Sequence, residues 1–440
     1  MEYWVIPIAV LFGGFSVGLI FGLPMAFTLG SSAIIAGIVY QGPSVLSLIA
    51  RNTYGPMTYL VMVALPLFVI MACVLEKSGI ADDLFAAMQQ WMGPLRGGIA
   101  IAVVGICTII AAMSGVSTAG VVTMGLIALP IMLRKGYDKT IAIGPILAGG
   151  ALGILIPPSI SFIVYGMLTK TSIGRLFAGG IIPGLILAIL YMSYIGIRCY
   201  LQPHLGPPLP REERVSLVEK IKLSRGLVLP IFLIVAVLGS IFGGLASPTE
   251  AAAVGALGAI ICAAIHKRLS WTMLKDAALR TAVVNGMVMW ILFGAFCFAS
   301  VFISTGGPAV VKDLITGLDI PPIFIIFMMQ VSYFILGCFV DEITILFLTI
   351  PVYMPILVAL GFDPVWFGVL FIVNMQMAYL TPPFGFTLFY MRGIAPPGVT
   401  LMDIYRSVIP FVGLQAIGLI LVLVFPQLAL WLPDVVFGLK

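Results

Sequence analysis

Gly153-Ile154-Leu155-Ile156-Pro157-Pro158-Ser159 and Leu380-Thr381-Pro382-Pro383-Phe384-Gly385 are the two stretches whose reading decides the fold. Each lies inside an apolar run of membrane-helix length, 139–169 and 364–392, and each places two consecutive prolines near its middle. Proline carries no N–H and pushes the residue before it out of the helical region, so two in succession forbid a continuous helix. Both runs are expected to be broken helices. Unpaired backbone costs several kcal/mol per group in hydrocarbon, so a break at that depth must border a cavity, other protein or a bound ion.

An over-long apolar run precedes each break. Residues 99–133 carry Met113-Ser114-Gly115-Val116-Ser117-Thr118 at their centre, and residues 321–360 carry Asp341, Glu342 and Thr344 at theirs. Each is expected to be a hairpin of two half-helices meeting at a small or polar tip. The two sets are copies: Pro130 matches Pro355, Gly136-Tyr137-Asp138 matches Gly361-Phe362-Asp363, Leu155 matches Leu380, Pro157-Pro158 matches Pro382-Pro383 and Tyr165 matches Tyr390, all 225 residues apart. Leu23-Pro24 against Ser247-Pro248, at an offset of 224, extends the duplication towards the start of each half. The expected organisation is a first repeat over 1–197, a linker over 198–226 and a second repeat over 227–440.

Composition sets the solvent. The chain has 440 residues, 61% hydrophobic and 9% charged, with a mean hydropathy of +1.20. That excludes a water-soluble globule, a disordered chain, a disulfide-stapled secreted domain and a nucleic-acid binder, each of which needs polar or basic surface. A membrane core takes roughly 20 helical residues to cross, which allows on the order of ten to twelve apolar segments. The expected fold class is an all-α polytopic membrane protein. The six cysteines stand singly in apolar stretches and read as packing residues. Glu2 stands where a signal peptide would carry a base, so the first apolar run is expected to be a membrane helix. There is no P-loop, and Gly14-Phe15-Ser16-Val17-Gly18 matches a nucleophile elbow only by accident, in an apolar helix without a nearby His. No enzyme and no cofactor is expected.

Lys and Arg set the orientation. With the loop after the first hairpin (Arg134, Lys135, Lys139) inside, alternation puts 17 of the 22 basic residues on the cytoplasmic side. The matching loop Leu360-Gly361-Phe362-Asp363-Pro364 has no base and falls outside, so the repeats are expected to be inverted, with both termini periplasmic. Inverted repeats with discontinuous helices are the pattern of secondary transporters, in which half-helix amino ends favour an anion and unwound carbonyls hold a cation such as Na⁺. Hydroxyls at Ser114, Ser117, Thr118, Ser159, Thr344 and Thr381 add neutral oxygens. Asp341, ionisable in mid-segment, is a functional candidate. Glu250 is expected to cap the helix that starts at Pro248, and His204 and His266 to be solvated.

The stretches Ser114-Gly115-Val116-Ser117-Thr118-Ala119, Gly153 to Ile160, Ser247-Pro248-Thr249-Glu250-Ala251-Ala252-Ala253, Gly337…Asp341…Pro351…Pro355 and Thr381-Pro382-Pro383-Phe384-Gly385 together resemble the large membrane subunit of tripartite ATP-independent periplasmic (TRAP) transporters, the DctM-like family. The resemblance covers nearly the whole chain. It implies an ion-transporter-superfamily elevator fold in a bacterial inner membrane and sodium-driven import of an organic acid. Its implied partners are a small four-helix membrane subunit (DctQ-like) and a periplasmic substrate-binding protein (DctP-like). Carried over by position, it places one Na⁺ by Ser114, Gly153, Ile156 and Pro158, and a second by Thr344, Ala378, Thr381 and Pro383. Ser117, Thr118, Ser159, Asp341 and Phe384 are the implied substrate contacts. Ala378 stands where the family usually has Gly, and Glu342 adds a second acid beside Asp341. The alternatives are a stand-alone Na⁺-coupled carboxylate symporter of the same superfamily and an intramembrane enzyme.

Overall fold

The computed structural model describes residues 5–307, 309–310, 320–383 and 385–438, and every regular element among them is helical. Eight described helices are long and apolar enough to cross a membrane, and shorter apolar ones supply hairpin arms and half-helices.

Both over-long runs are hairpins. The first joins Gly98–Ser114 to Ser117–Arg134 through Gly115 and Val116. Gly115 adopts φ +68°, a left-handed conformation open to glycine, and Val116 is extended, which reverses the chain in two residues. The second joins Pro322–Gly337 to Glu342–Ala359. The first broken helix runs Lys139–Ala151, a short 3₁₀ turn Leu152–Ile154, the proline pair and Ile160–Thr169; the second runs Pro364–Tyr379 and Phe386–Ile394. Both Pro-Pro bonds are cis.

The remaining helices build a frame in which the halves embrace reciprocally. Met25–Gln41 packs on Trp271–Ser304, and Ala64–Lys77 on Pro248–Ile265. Pro24 and Pro248 are repeat counterparts, so each early helix of one half meets a later helix of the other, as a two-fold relation between halves produces. A methyl on Gly294 would lie 2.2 Å from the Ala26 carbonyl, so this contact is backbone on backbone. The hairpin elements follow the same rule: Ser117–Arg134 meets Phe386–Ile394, and Glu342–Ala359 meets Ile160–Thr169.

Glu250 caps its helix in a full capping box: its backbone N–H donates to the Ser247 hydroxyl at 3.3 Å, and its carboxylate accepts from the Ser247 N–H at 2.7 Å. Helices Val45–Met57, Ile80–Met92 and Gln427–Phe437 fall outside the apolar runs read from the sequence, because short amphipathic or mixed segments carry no long hydrophobic signal. His266 is not solvated. Half-buried, it sets Nε2 2.9 Å from the Asp83 carboxylate and Nδ1 2.8 Å from the Cys262 carbonyl, which ties the ends of two frame helices. The joint between halves is more ordered than a polar linker: the last helix of the first half runs on to Leu201, and Leu217–Leu223 is helical behind a Ser216–Glu219 capping box.

An inverted relation predicts that Arg134→Cys and Ala359→Cys, 225 residues apart at the ends of the two hairpins, react with a membrane-impermeant maleimide from opposite faces of sealed vesicles. Labelling from one face would show a parallel duplication.

Candidate ion and substrate site

The first tip is pressed into the first break. A methyl on Gly115 would stand 2.2 Å from the Pro158 carbonyl, and one on Gly153 would stand 2.4 Å from the Val116 carbonyl. Neither position tolerates a side chain. Behind them Gly120 and Gly150 bring the second arm and the broken helix to a 3.0 Å approach of the same kind. The result gathers Ser114, Val116 and Ser117 of the tip with Gly153, Pro158 and Ser159 of the break.

What this cluster offers chemically is unpaired backbone. The carbonyls of Leu155, Ile156, Pro157 and Pro158 accept no hydrogen bond among the described residues, and Val116 receives only a long 3.5 Å contact from the Ser114 hydroxyl. On the other side of the prolines, the amides of Ile160 and Ser161 donate to no acceptor among the described residues, while Phe162 N–H donates to the Ser159 hydroxyl at 3.4 Å. Residues 151–160 are all buried. Oxygen-rich backbone on one side suits a hard cation, and the open amino end of Ile160–Thr169 suits an anion.

The second tip reaches the same half-helix. Glu342, buried, accepts a 3.1 Å hydrogen bond from the hydroxyl of Ser161. Residues 158–161 therefore lie between the two tips, with Pro158 against Gly115 and Ser161 against Glu342. Asp341 is the N-cap of the second arm: its carboxylate accepts from Thr344 N–H at 3.0 Å and from the Thr344 hydroxyl at 2.6 Å. Thr344, fully buried, thus spends its proton on Asp341 and keeps only lone pairs for an ion.

At the second break the side chains share the work differently. Thr381 donates its hydroxyl to the Met377 carbonyl at 2.8 Å, the i−4 bond common in membrane helices. Thr387 donates across the break to the Tyr379 carbonyl at 2.8 Å. The repeat counterpart of Tyr379 is Ile154, whose carbonyl accepts from Ser159 at 2.5 Å, so one carbonyl is satisfied in both halves by a hydroxyl from a different position. Phe384 lies outside the described residues. Thr118 is half-buried and Ala378 fully buried. The alanine has a geometric reason: a methyl on Gly337 would meet the Ala378 methyl at 2.5 Å, so the Gly and Ala of this contact are exchanged relative to Ala112 and Gly153 at the matching positions.

The two breaks also differ in cover. Gly180 and Gly184 let the helix Ile173–Leu201 sit directly on Leu155 and Ile156, at 2.4 and 2.5 Å from where their methyls would be. Their counterparts 225 residues on are Tyr405 and Ile409, and Pro382 and Pro383 are exposed. A narrow cleft reaches the first tip from the frame side, lined by Ser114 and Thr123 of the hairpin and by Leu75 and Glu76 of the frame. Arg280 holds Glu76 at 3.3 Å. The pairs Ser161–Glu342 and Thr387–Tyr379 escaped sequence reading; the repeat offset marks Tyr379 as the partner of Ile154 but assigns it no hydroxyl.

Gly153→Ala is expected to lower the melting temperature and abolish function, since forcing a methyl into a packed contact costs about 1–3 kcal/mol or more. Gly413→Ala, on a helix with nothing within 4 Å, is the control expected to melt as the parent does. Equal melting of the two variants would mean that the tip does not press on the break.

The family model described as "Tripartite ATP-independent periplasmic transporter, DctM component" matches residues 12–428. The chain is 30% identical over 447 residues to the C4-dicarboxylate TRAP transporter large permease protein DctM of Vibrio cholerae, covering 96% of each. It is 30% identical over 434 residues to the ectoine/5-hydroxyectoine TRAP transporter large permease protein UehC of Ruegeria pomeroyi, with 98% and 99% covered. Against the isethionate TRAP transporter permease protein DctMQ of Oleidesulfovibrio alaskensis, identity is 31% over 426 residues; the match spans 97% of this chain and 66% of that protein. Among solved structures the fold is similar to that of the Alcanivorax borkumensis YdaH transporter, with a TM-score of 0.66 at 15% identity over 94% of this chain and 98% of that one.

Proposed function

This chain belongs to the DctM family of TRAP transporters as a large, multi-span permease component, and from that premise we propose that it imports an organic acid across a bacterial inner membrane in symport with Na⁺. The observation that carries the reading is the first tip seated in the first break, where buried carbonyls without donors stand beside helical amides without acceptors. Na⁺ entering with the cargo would take up the carbonyls of Ile156 and Pro158 with Val116 and the hydroxyl of Ser114. The acid's carboxylate would take the amino end of Ile160–Thr169 between the two tips. Each ligand lowers the cost of binding the other, because opposite charges are paired in a site that excludes water.

The partners we propose are a small four-helix membrane subunit and a periplasmic binding protein that delivers the acid. A relative named DctMQ, a third of which lies beyond the match, supports the first. The proposed movement is an elevator, in which hairpins and broken helices travel as a body against the frame. The reciprocal packing of hairpin elements on each other supports that division, since a body that moves as one keeps its ion site intact. In proteoliposomes holding all three components, Ser114→Ala and Asp341→Ala are expected to cut Na⁺-dependent uptake at least tenfold, the loss of roughly 1.4 kcal/mol or more of ion binding, with assembly unchanged. Uptake that persists in K⁺ alone would overturn the coupling.

Glu342 favours one class of cargo. It lies within salt-bridge distance of no Lys or Arg among the described residues, and a buried carboxylate without a cation is costly. A cargo that joins a cationic nitrogen to its carboxylate, as the compound named for the Ruegeria relative does, would neutralise it, whereas a dianion would be repelled. Competition between ectoine and succinate tests this: the parent is expected to prefer ectoine and Glu342→Gln to lose that preference. An unchanged ratio would remove Glu342 from selectivity.

A further inference from the structure

The joint between the halves carries an apolar stripe that continues onto a membrane helix. Leu217–Leu223 passes through the 3₁₀ turn Ser224–Leu227 into Val228–Phe242. Leu217, Val218 and Ile221 are 69%, 77% and 63% exposed, and the same helical spacing leads on to exposed Val228, Phe232 and Val235. The 26-residue stretch Leu217–Phe242 would be about 39 Å long as one helix, against a hydrocarbon core of about 30 Å, so its first turns reach the interface.

Charge and aromatic residues mark the same level. Glu213 is taken by Lys135, and Glu219 closes the capping box on Ser216. That leaves Lys222 and Arg225 exposed, with no acid partner among the described residues and Glu212 as the remaining acid of the segment. Trp91 fastens the joint to the frame, donating its indole N–H to the Ser224 hydroxyl at 2.8 Å under the Lys220 ammonium at 5.6 Å. Arg96 lies 5.9 Å over the ring of exposed Tyr200. Exposed Trp and Tyr rings, a basic cluster and an amphipathic turn at the mouth of a membrane helix are the features that bind anionic bilayer surfaces.

We propose that this joint is a binding site for anionic phospholipid. The phosphate meets Lys222 and Arg225, and the acyl chains lie along Leu217, Val218 and Ile221 and continue down Val228 and Phe232. Acyl chains are the occupant because the stripe is continuous with the lipid-facing side of Val228–Phe242, and the headgroup is anionic because the cations beside it are unpaired.

The test is native mass spectrometry of the full chain released from membranes of equal phosphatidylglycerol and phosphatidylcholine content. The parent is expected to retain phosphatidylglycerol preferentially, and K222Q/R225Q to reduce that preference roughly twenty-fivefold, about fivefold for each charge lost. Arg406→Gln, an exposed base elsewhere, is expected to retain it. An equal preference in parent and double variant overturns the proposal. Should the double variant fail to fold, a fluorophore on Ile221→Cys in liposomes decides: quenching by nitroxide-labelled lipid supports the site, and its absence, which would mean water or another protein on the stripe, overturns it.

Discussion

Everything in this molecule depends on one constraint: peptide groups released from helices in a medium without water must find partners. The first break releases four consecutive carbonyls and two amides inside a wholly buried segment. Ser159 partners the groups on either side, the Ile154 carbonyl and the Phe162 N–H, while these six stay without a partner among the described residues, with the Pro158 carbonyl against Gly115 of the first tip and the Leu155 carbonyl against Gly180. Glycine at Gly115 and Gly153 is what allows that approach, because any side chain there would hold the tip away. The same glycines that make the contact tight therefore gather the unpaired oxygens of break and tip in one place.

The duplication was legible because its markers are covalent necessities. Proline pairs, a Gly-Tyr-Asp step and a capping Ser-Pro-Thr-Glu keep their spacing whatever surrounds them, and the structure puts both breaks and both tips where those markers fall. The cross-repeat contacts were not legible. Ser161 and Glu342 are 181 residues apart, and nothing in either neighbourhood names the other. Thr387 was invisible for a related reason, since it does the work of Ser159 from a position where the first half has Phe162. Amphipathic helices such as Ile80–Met92 carry no long apolar run, since Asp82, Asp83, Gln89 and Gln90 interrupt their hydrophobic residues.

The halves have diverged along one line. Gly105 and Gly149 of the first half correspond to Gln330 and Asn374 of the second, where the Asn374 amide donates to the Gln330 backbone carbonyl at 2.6 Å and to its side-chain oxygen at 3.0 Å. Gly149 packs closely on Cys107 to hold the broken helix to the first hairpin, while Gly105 turns to Met88, and a buried amide pair holds the second. With Tyr405 and Ile409 in place of Gly180 and Gly184, the second break is also the less covered of the two. Two copies of one device thus differ in what they present: an enclosed cluster of backbone oxygens in the first half, and in the second an acidic tip beside an open break.

A cation that completes the backbone at the first tip would distinguish an ion site from a merely tight packing contact. Hydrogen–deuterium exchange of segments 114–118 and 152–163, measured on the membrane-embedded chain in Na⁺ and again in K⁺ at equal ionic strength, reads this directly. Ordering by the ion predicts slower exchange in Na⁺, confined to those two segments. Identical exchange in the two salts would mean that the oxygens gathered there hold no sodium.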